Sequence, residues 1–166
     1  MKGRLLQKVI VIIAAMLLAA PVGAYYRALA TTYAEMFETV AGPMAGKNLH
    51  LMNAEKFVAA VRKGEKITAV DIRTPGETRF FTANLPGHKS IPLAELFQRH
   101  NLDSLPEDGK IVILCKSGTR ASAAVAALRH VGFENAYVLK GGFKALASYL
   151  GPKEAYEPMG PGTAAR

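Results

Sequence analysis

Ile111-Val112-Ile113-Leu114-Cys115-Lys116-Ser117-Gly118-Thr119-Arg120 is the stretch that organises this chain. Four consecutive β-rich apolar residues are the mark of a strand buried on both faces, which occurs in parallel sheets covered by helices. The apolar run stops at a thiol, five polar or small residues follow, and then the alanine-rich Ala121-Ser122-Ala123-Ala124-Val125-Ala126-Ala127-Leu128 reads as a helix through Val131. A strand that turns through a short loop into a helix leaves successive backbone N–H groups pointing into the hollow of the loop, where an anion is favoured. Lys116 and Arg120 add two positive charges, so the loop favours the thiolate form of Cys115 and makes it a candidate nucleophile. The competing reading is a buried cysteine acting as a small hydrophobe. A thiol followed by Lys-Ser-Gly-Thr-Arg is hard to bury, which favours an accessible Cys115.

Outward from this loop, strand and helix patterns alternate. Leu49-His50-Leu51 reads as a short strand, and Asn53 caps a helix carrying Phe57, Val58 and Val61. Ile67 to Ile72 is a buried strand leading into Asp71 and Arg73. Thr74-Pro75-Gly76-Glu77 turns into a short helix. Asn84 to Ser90 is a loop reaching Ile91-Pro92-Leu93 and a helix through Arg99. Beyond the cysteine loop and its helix come the strand Tyr137-Val138-Leu139 and Gly141-Gly142, which opens a last helix. Strands separated by helix-length segments predict an α/β domain with a central parallel sheet flanked by helices. Ligands of such sheets sit beyond the carboxyl ends of the strands, where Cys115 falls.

The 166 residues, half of them hydrophobic, suit one domain plus flanking segments. Cys115 is the only cysteine, so an intrachain disulfide, a CxxC pair and a multi-cysteine zinc site are excluded. His50, His88, His100 and His130 lack ligand spacing and read as surface or loop residues, and neither a metal nor a cofactor is expected.

Lys2, Arg4 and Lys8 precede the uncharged run from Val9 to Ala20, and Pro21-Val22-Gly23-Ala24 offers a turn with small residues, the pattern of an export signal cut after Ala24. The uncharged stretch continues through Tyr25 and Tyr26, long enough for the alternative of an uncleaved membrane tether over residues 9–26. Either way the remainder is expected in the periplasm or another extracytoplasmic space. Without residues 1–24 the net charge drops from +8 to +5, spread without basic runs, so a solvated surface is expected rather than a nucleic-acid site. Residues 25–47 read as a helical spacer, with Thr32 as N-cap and Glu35 as its capping-box partner in a helix from Tyr25 to Val40. Residues 48–151 form the domain, and 152–166, rich in Pro and Gly, read as a disordered tail.

Four motifs, in order and at fitting spacing, make the chain resemble the rhodanese family of sulfurtransferases over roughly Asn48 to Leu150. Asp71-Ile72-Arg73, followed by Glu77, is similar to the family's Asp-Val-Arg and its acidic residue. Leu85-Pro86-Gly87-His88-Lys89-Ser90-Ile91-Pro92-Leu93 matches its Ile-Pro-Gly-Ala-x-Asn-Ile-Pro-Leu stretch. Cys115 to Arg120 resembles the six-residue active-site loop, and Leu139-Lys140-Gly141-Gly142-Phe143 the Leu-x-Gly-Gly-x opening of the final helix. The family's Gly-His aligns with Ala83-Asn84, and Leu146 stands where Trp is frequent, so His88 is given no catalytic role.

The resemblance implies a rhodanese-like fold and a double displacement. Cys115 takes the outer sulfur of a small anionic donor such as thiosulfate, or of a persulfide, and passes it to a thiol or cyanide acceptor, which a partner protein could carry. Lys116, Ser117, Gly118, Thr119 and Arg120 then bind the donor. Lys116 and Arg120 hold its anionic end, Ser117 and Thr119 donate hydrogen bonds or cap the helix, and Asp71 and Arg73 brace the loop. A persulfide carrier or sulfur-sensing module is the alternative. The phosphatases and arsenate reductases of the same fold use Cys-x5-Arg, one residue longer than the loop here, which disfavours a tetrahedral oxyanion substrate.

Overall fold

The structure, a computed structural model, describes residues 22–41, 49–82, 85 and 87–151. The chain divides into two units, Met1–Asn48 and Leu49–Arg166. In the first, helix α1 runs from Val22 to Val40. Thr32 lies inside it rather than at its start, its hydroxyl donating to the Ala28 carbonyl at 3.1 Å, as that of Thr31 does to Arg27 at 3.1 Å. A mid-helix threonine satisfies its hydroxyl on the preceding turn, which the capping-box pattern alone does not distinguish from a cap. Val22, Gly23 and Ala24 are helical, not a turn, since none of them bars the helical conformation. Among the described residues no helix is long and apolar enough to cross a membrane. Residues 1–21 and 152–166, which carry most of the expected export signal and the expected tail, lie outside the described residues.

The second unit is built on five strands, β1 (Leu51–Met52), β2 (Ile67–Asp71), β3 (Lys89–Ser90), β4 (Lys110–Leu114) and β5 (Ala136–Leu139). They form one sheet in the order β1-β5-β4-β2-β3, every pair parallel, as the alternating pattern predicts. Asn53 caps α2 (Ala54–Arg62), its side chain accepting from the Lys56 N–H at 2.9 Å. The helix expected through Arg99 is two short ones, α4 (Leu93–Leu96) and α5 (Arg99–Asp103), separated at Phe97-Gln98. Helix α6 spans Thr119–His130 and α7 spans Gly142–Tyr149.

Side chains of a strand alternate between faces, and the two core clusters follow that alternation. From β4, Ile111 and Ile113 join Val70, Ile72, Leu96 and the α6 residues Ala121, Ala124, Val125 and Leu128 on one face. Val112 and Leu114 join Met52 of β1, Phe57, Val58 and Val61 of α2 and Leu146 of α7 on the other. Each large side chain buried in this way contributes roughly 1.5–3 kcal/mol. Leu146, where the family often has Trp, is a fully buried member of the second cluster.

Continuing the period by one residue sends Cys115 to the α6 face, and it belongs to that cluster. The topology concentrates function at the same place. After β2 the chain goes outward to β3, then returns to lay β4 on the opposite side of β2, so the carboxyl ends of β2 and β4 flank the point where strand order reverses.

Candidate active site

At that point Asp71 and Leu114 are register partners, and the Ile72 N–H donates to the Leu114 carbonyl at 2.9 Å. The ladder therefore brings Asp71-Ile72-Arg73 alongside Cys115 without any side-chain contact being needed. Cys115 is 1% exposed, contrary to the expectation that its polar successors keep it open. The physical reason is the curl of the loop. Lys116, Ser117 and Thr119 are exposed while the chain folds back over the thiol, and the Gly118 N–H donates to Cys115 Sγ at 3.2 Å. Neighbouring polarity says where those side chains go and nothing about the thiol on the loop's floor.

Gly118 permits that curl. Its φ of +96° is left-handed, and it stands at the N-cap of α6 without a capping side chain. Ser117 and Thr119 do not cap the helix; their hydroxyls lie 3.5 Å apart. The first N–H groups of α6 have no intrahelical acceptor, so an uncapped helix start beside a thiol favours negative charge there.

The loop is also fixed from behind, by residues that the sequence reading treated only as a motif. The Phe143 N–H donates to the Cys115 carbonyl at 2.7 Å and the Lys144 N–H to the Lys116 carbonyl at 3.1 Å. Turning those two carbonyls toward α7 leaves the loop's N–H groups to face the other way. The close approach requires glycine: a Cβ on Gly142 would lie 2.9 Å from both Gly118 N and Lys116 C and collide with the Cys115 carbonyl oxygen. The Gly-Gly pair after β5 was the available signal, and its partner was not visible locally.

Asp71 and Arg73 meet in a buried pair. Arg73 Nε donates to both carboxylate oxygens at 3.0 and 2.9 Å and Nη2 to Oδ2 at 2.7 Å, while the Arg73 N–H also reaches Oδ1 at 3.0 Å. Arg73 further donates to the Phe81 carbonyl at 2.7 Å and lies over the Phe143 ring at 3.9 Å. The pair thus ties the tail of β2 to the helix that backs the cysteine loop.

Arg120, expected to hold the donor's anionic end, lies beside Cys115 and is engaged on two nitrogens by Glu77, Nη1 to Oε2 at 2.8 Å and Nη2 to Oε1 at 2.7 Å. Glu77 is itself set by the capping box of α3 (Pro75–Thr78), accepting from the Thr74 N–H at 3.0 Å while the Thr74 hydroxyl receives the Glu77 N–H at 3.3 Å. These hydrogen bonds, chiefly that from Arg120, hold the Glu77 carboxyl well below its ordinary range, at about 2. The same bond to Glu77 raises Arg120, with a smaller contribution from the adjacent Cys115. The loop therefore has one unpaired cation among its described residues, Lys116. The sequence marks Glu77 as a motif residue but does not show its partner, because the two residues are 43 positions apart.

Of the histidines read as surface or loop, two are partly buried. His50 stacks on Tyr137 with centroids 4.6 Å apart, and burial lowers its affinity for a proton. His88 lies near Asp71 and Arg73, its Nε2 buried without a hydrogen-bond partner, and burial is also the main cause that lowers its pKa. Among the described residues no group of three or more His, Cys, Asp or Glu side chains could hold a metal ion.

The model of the rhodanese-like domain matches residues 53–149, more than half of the chain. The chain belongs to the rhodanese-like domain family. Its parallel sheet with helices on both faces is the rhodanese-like α/β fold. Over 89 residues it is 34% identical to the probable adenylyltransferase/sulfurtransferase MoeZ of Mycobacterium tuberculosis, covering 54% of this chain but only 22% of that relative's length. It is 30% identical over 98 residues to a sulfurtransferase of Allochromatium vinosum, 59% of this chain and 88% of the relative. Among solved structures, a rhodanese-related protein from Thermoplasma volcanium superposes with a TM-score of 0.52 at 27% identity, covering 60% of this chain and 92% of its own.

Proposed function

We propose that this rhodanese-like domain is a sulfurtransferase in which Cys115 carries the sulfur as a persulfide. The observation that carries the reading is the Cys115 thiol on the floor of a glycine-shaped loop, touched by the Gly118 N–H at 3.2 Å, at the sheet's reversal point. The thiolate attacks the outer sulfur of thiosulfate or of a persulfide. A bond forms between Cys115 Sγ and that sulfur as the donor's own sulfur–sulfur bond breaks, and sulfite or a thiolate leaves with the electron pair. A thiol or cyanide then removes the carried sulfur and regenerates the Cys115 thiolate. N–H groups of Lys116 to Arg120 stabilise the persulfide anion as an oxyanion hole stabilises developing charge. Lys116, Ser117, Gly118 and Thr119 meet the donor, and Asp71 and Arg73 brace the loop from the neighbouring strand.

Treatment with thiosulfate or a persulfide followed by intact-mass measurement tests this. The expected result is a gain of one sulfur atom by the wild type and none by Cys115→Ala. A wild-type protein with a confirmed free thiol that gains no sulfur from either donor refutes it.

A second reading is a persulfide carrier that loads stoichiometrically but turns over slowly with cyanide. It is favoured by a relative at 32% identity named a putative sulfur carrier protein, YrkF of Bacillus subtilis, and by Phe80 and Phe81, 76% and 68% exposed next to the Arg73 anchor. Fast ping-pong kinetics with cyanide would decide for the enzyme. We place the domain in the periplasm or facing it, on the strength of the basic flank and apolar run of residues 2–24. N-terminal sequencing of exported protein distinguishes a cut signal from a retained tether.

A further inference from the structure

We infer that Glu77 sets the donor preference of Cys115, turning the site away from dianionic thiosulfate and toward persulfides, which carry at most one negative charge on their sulfur. This rests on the sulfur-transfer reading and narrows its substrate class. An open loop with two free cations, Lys116 and Arg120, would draw a dianion strongly. Here the Arg120 guanidinium is engaged on two nitrogens by the Glu77 carboxylate, at 2.7 and 2.8 Å. Once the thiol has ionised, Lys116, Arg120, Glu77 and Cys115 sum to no net charge, so the only attraction an incoming dianion meets there is that of the loop and helix N–H groups.

Glu77 is not a mobile side chain that a donor could brush aside at little cost. Thr74 holds it through both its backbone N–H and its hydroxyl, at 3.0 and 3.1 Å, so displacing it from Arg120 strands a carboxylate in a capping box. It also stays charged throughout the neutral range. A persulfide needs no such displacement. Its outer sulfur transfers to Cys115 as the bond to the inner sulfur breaks, and the inner sulfur leaves as a thiolate with the electron pair. A protonated persulfide adds no charge to that of Cys115 and leaves a protonated Cys115 persulfide, which then ionises; a persulfide anion adds a single charge, which stays on the Cys115 persulfide as the thiolate departs.

The test compares kcat/KM for thiosulfate and for 2-hydroxyethyl persulfide in the wild type, Glu77→Gln and Glu77→Asp, with folding checked by circular dichroism. Gln at this position preserves the capping box, because glutamine serves there as well as glutamate. Removing one unit charge from the rim should raise the thiosulfate-to-persulfide ratio about tenfold in Glu77→Gln, through a lower KM for thiosulfate and not a higher kcat. Glu77→Asp, which keeps the charge, should hold the ratio within about twofold of the wild type. An unshifted ratio in Glu77→Gln, or an equal shift in both variants, overturns the inference while leaving sulfur transfer standing. Loading of the wild type by neither donor overturns both.

Discussion

Replacing Gly142 by alanine adds one carbon at a place where three backbone atoms already stand. The new Cβ would lie 2.9 Å from Gly118 N and from Lys116 C and would overlap the Cys115 carbonyl oxygen. None of these is the flexible end of a side chain, so relief requires the cysteine loop or α7 to move, at an overpacking cost of about 1–3 kcal/mol. The φ of +58° at this position adds roughly 1–2 kcal/mol for any residue bearing a Cβ. Together the substitution should cost about 3 kcal/mol, which for a domain of this size lowers Tm by at least about 10 °C. Gly132→Ala separates the two contributions. Its φ is +107° but nothing lies within 4 Å of the added carbon, so only the conformational cost remains, about 1 kcal/mol or roughly 5 °C. Thermal unfolding of both variants, paired with sulfur loading by intact mass, is the assay. Gly142→Ala should also lose loading, because displacing the Cys115 and Lys116 carbonyls from Phe143 and Lys144 reorients the loop. If Gly142→Ala unfolds no earlier than Gly132→Ala and loads fully, α7 does not fix the loop and the argument fails.

Three further outcomes follow from contacts already described. Asp71→Ala should cost about 3–5 kcal/mol in a urea titration, because it leaves the Arg73 guanidinium buried without its carboxylate; replacing both residues by apolar ones of similar size should recover most of that loss. Asn53→Ala, which removes the cap of α2, should cost about 1 kcal/mol by the same measurement and leave loading intact. The Glu77 carboxyl has a folded pKa of about 2 against an ordinary 4.5, so its contribution is complete above pH 4.5 and lost as the pH falls toward 2. The wild type should therefore lose slightly more stability than Glu77→Gln across that window. The pair is partly exposed and screened, so the difference should stay under about 1 kcal/mol.

The parts of the fold that were legible in the sequence are those written in consecutive residues. Strand β4 and helix α6 are both found within two residues of where the apolar run and the alanine-rich stretch put them, because each satisfies its pattern unaided. Asn53 reads correctly as a cap for the same reason: the N–H it accepts from, that of Lys56, is three positions away. Strands β1 and β3 are two residues long and exist through their partners in the sheet, so the local pattern marks Leu51–Met52 only in part and gives Lys89–Ser90 the look of a loop. The candidate site divides along the same line. The candidate nucleophile Cys115 and the glycine that curls the loop over it stand within four residues of each other and are visible in the loop alone. What surrounds them depends on residues far apart in sequence, since Glu77 reaches Arg120 and Phe143 reaches Cys115 only after the sheet has assembled. The burial of the thiol is not legible in the sequence, because composition reports the polarity of neighbours, whereas enclosure is decided by the backbone's path.

The depth of Cys115 makes the empty and loaded protein chemically unequal. In the proposed persulfide the added sulfur stands about 2 Å beyond Sγ, the length of one disulfide bond, so the atom to be delivered is not the one that the fold encloses in the resting protein. In the resting protein a bulky oxidant finds little of the thiol to attack. Damage should therefore fall first on the cargo, where a reductant can strip it away and return an intact cysteine for the next round.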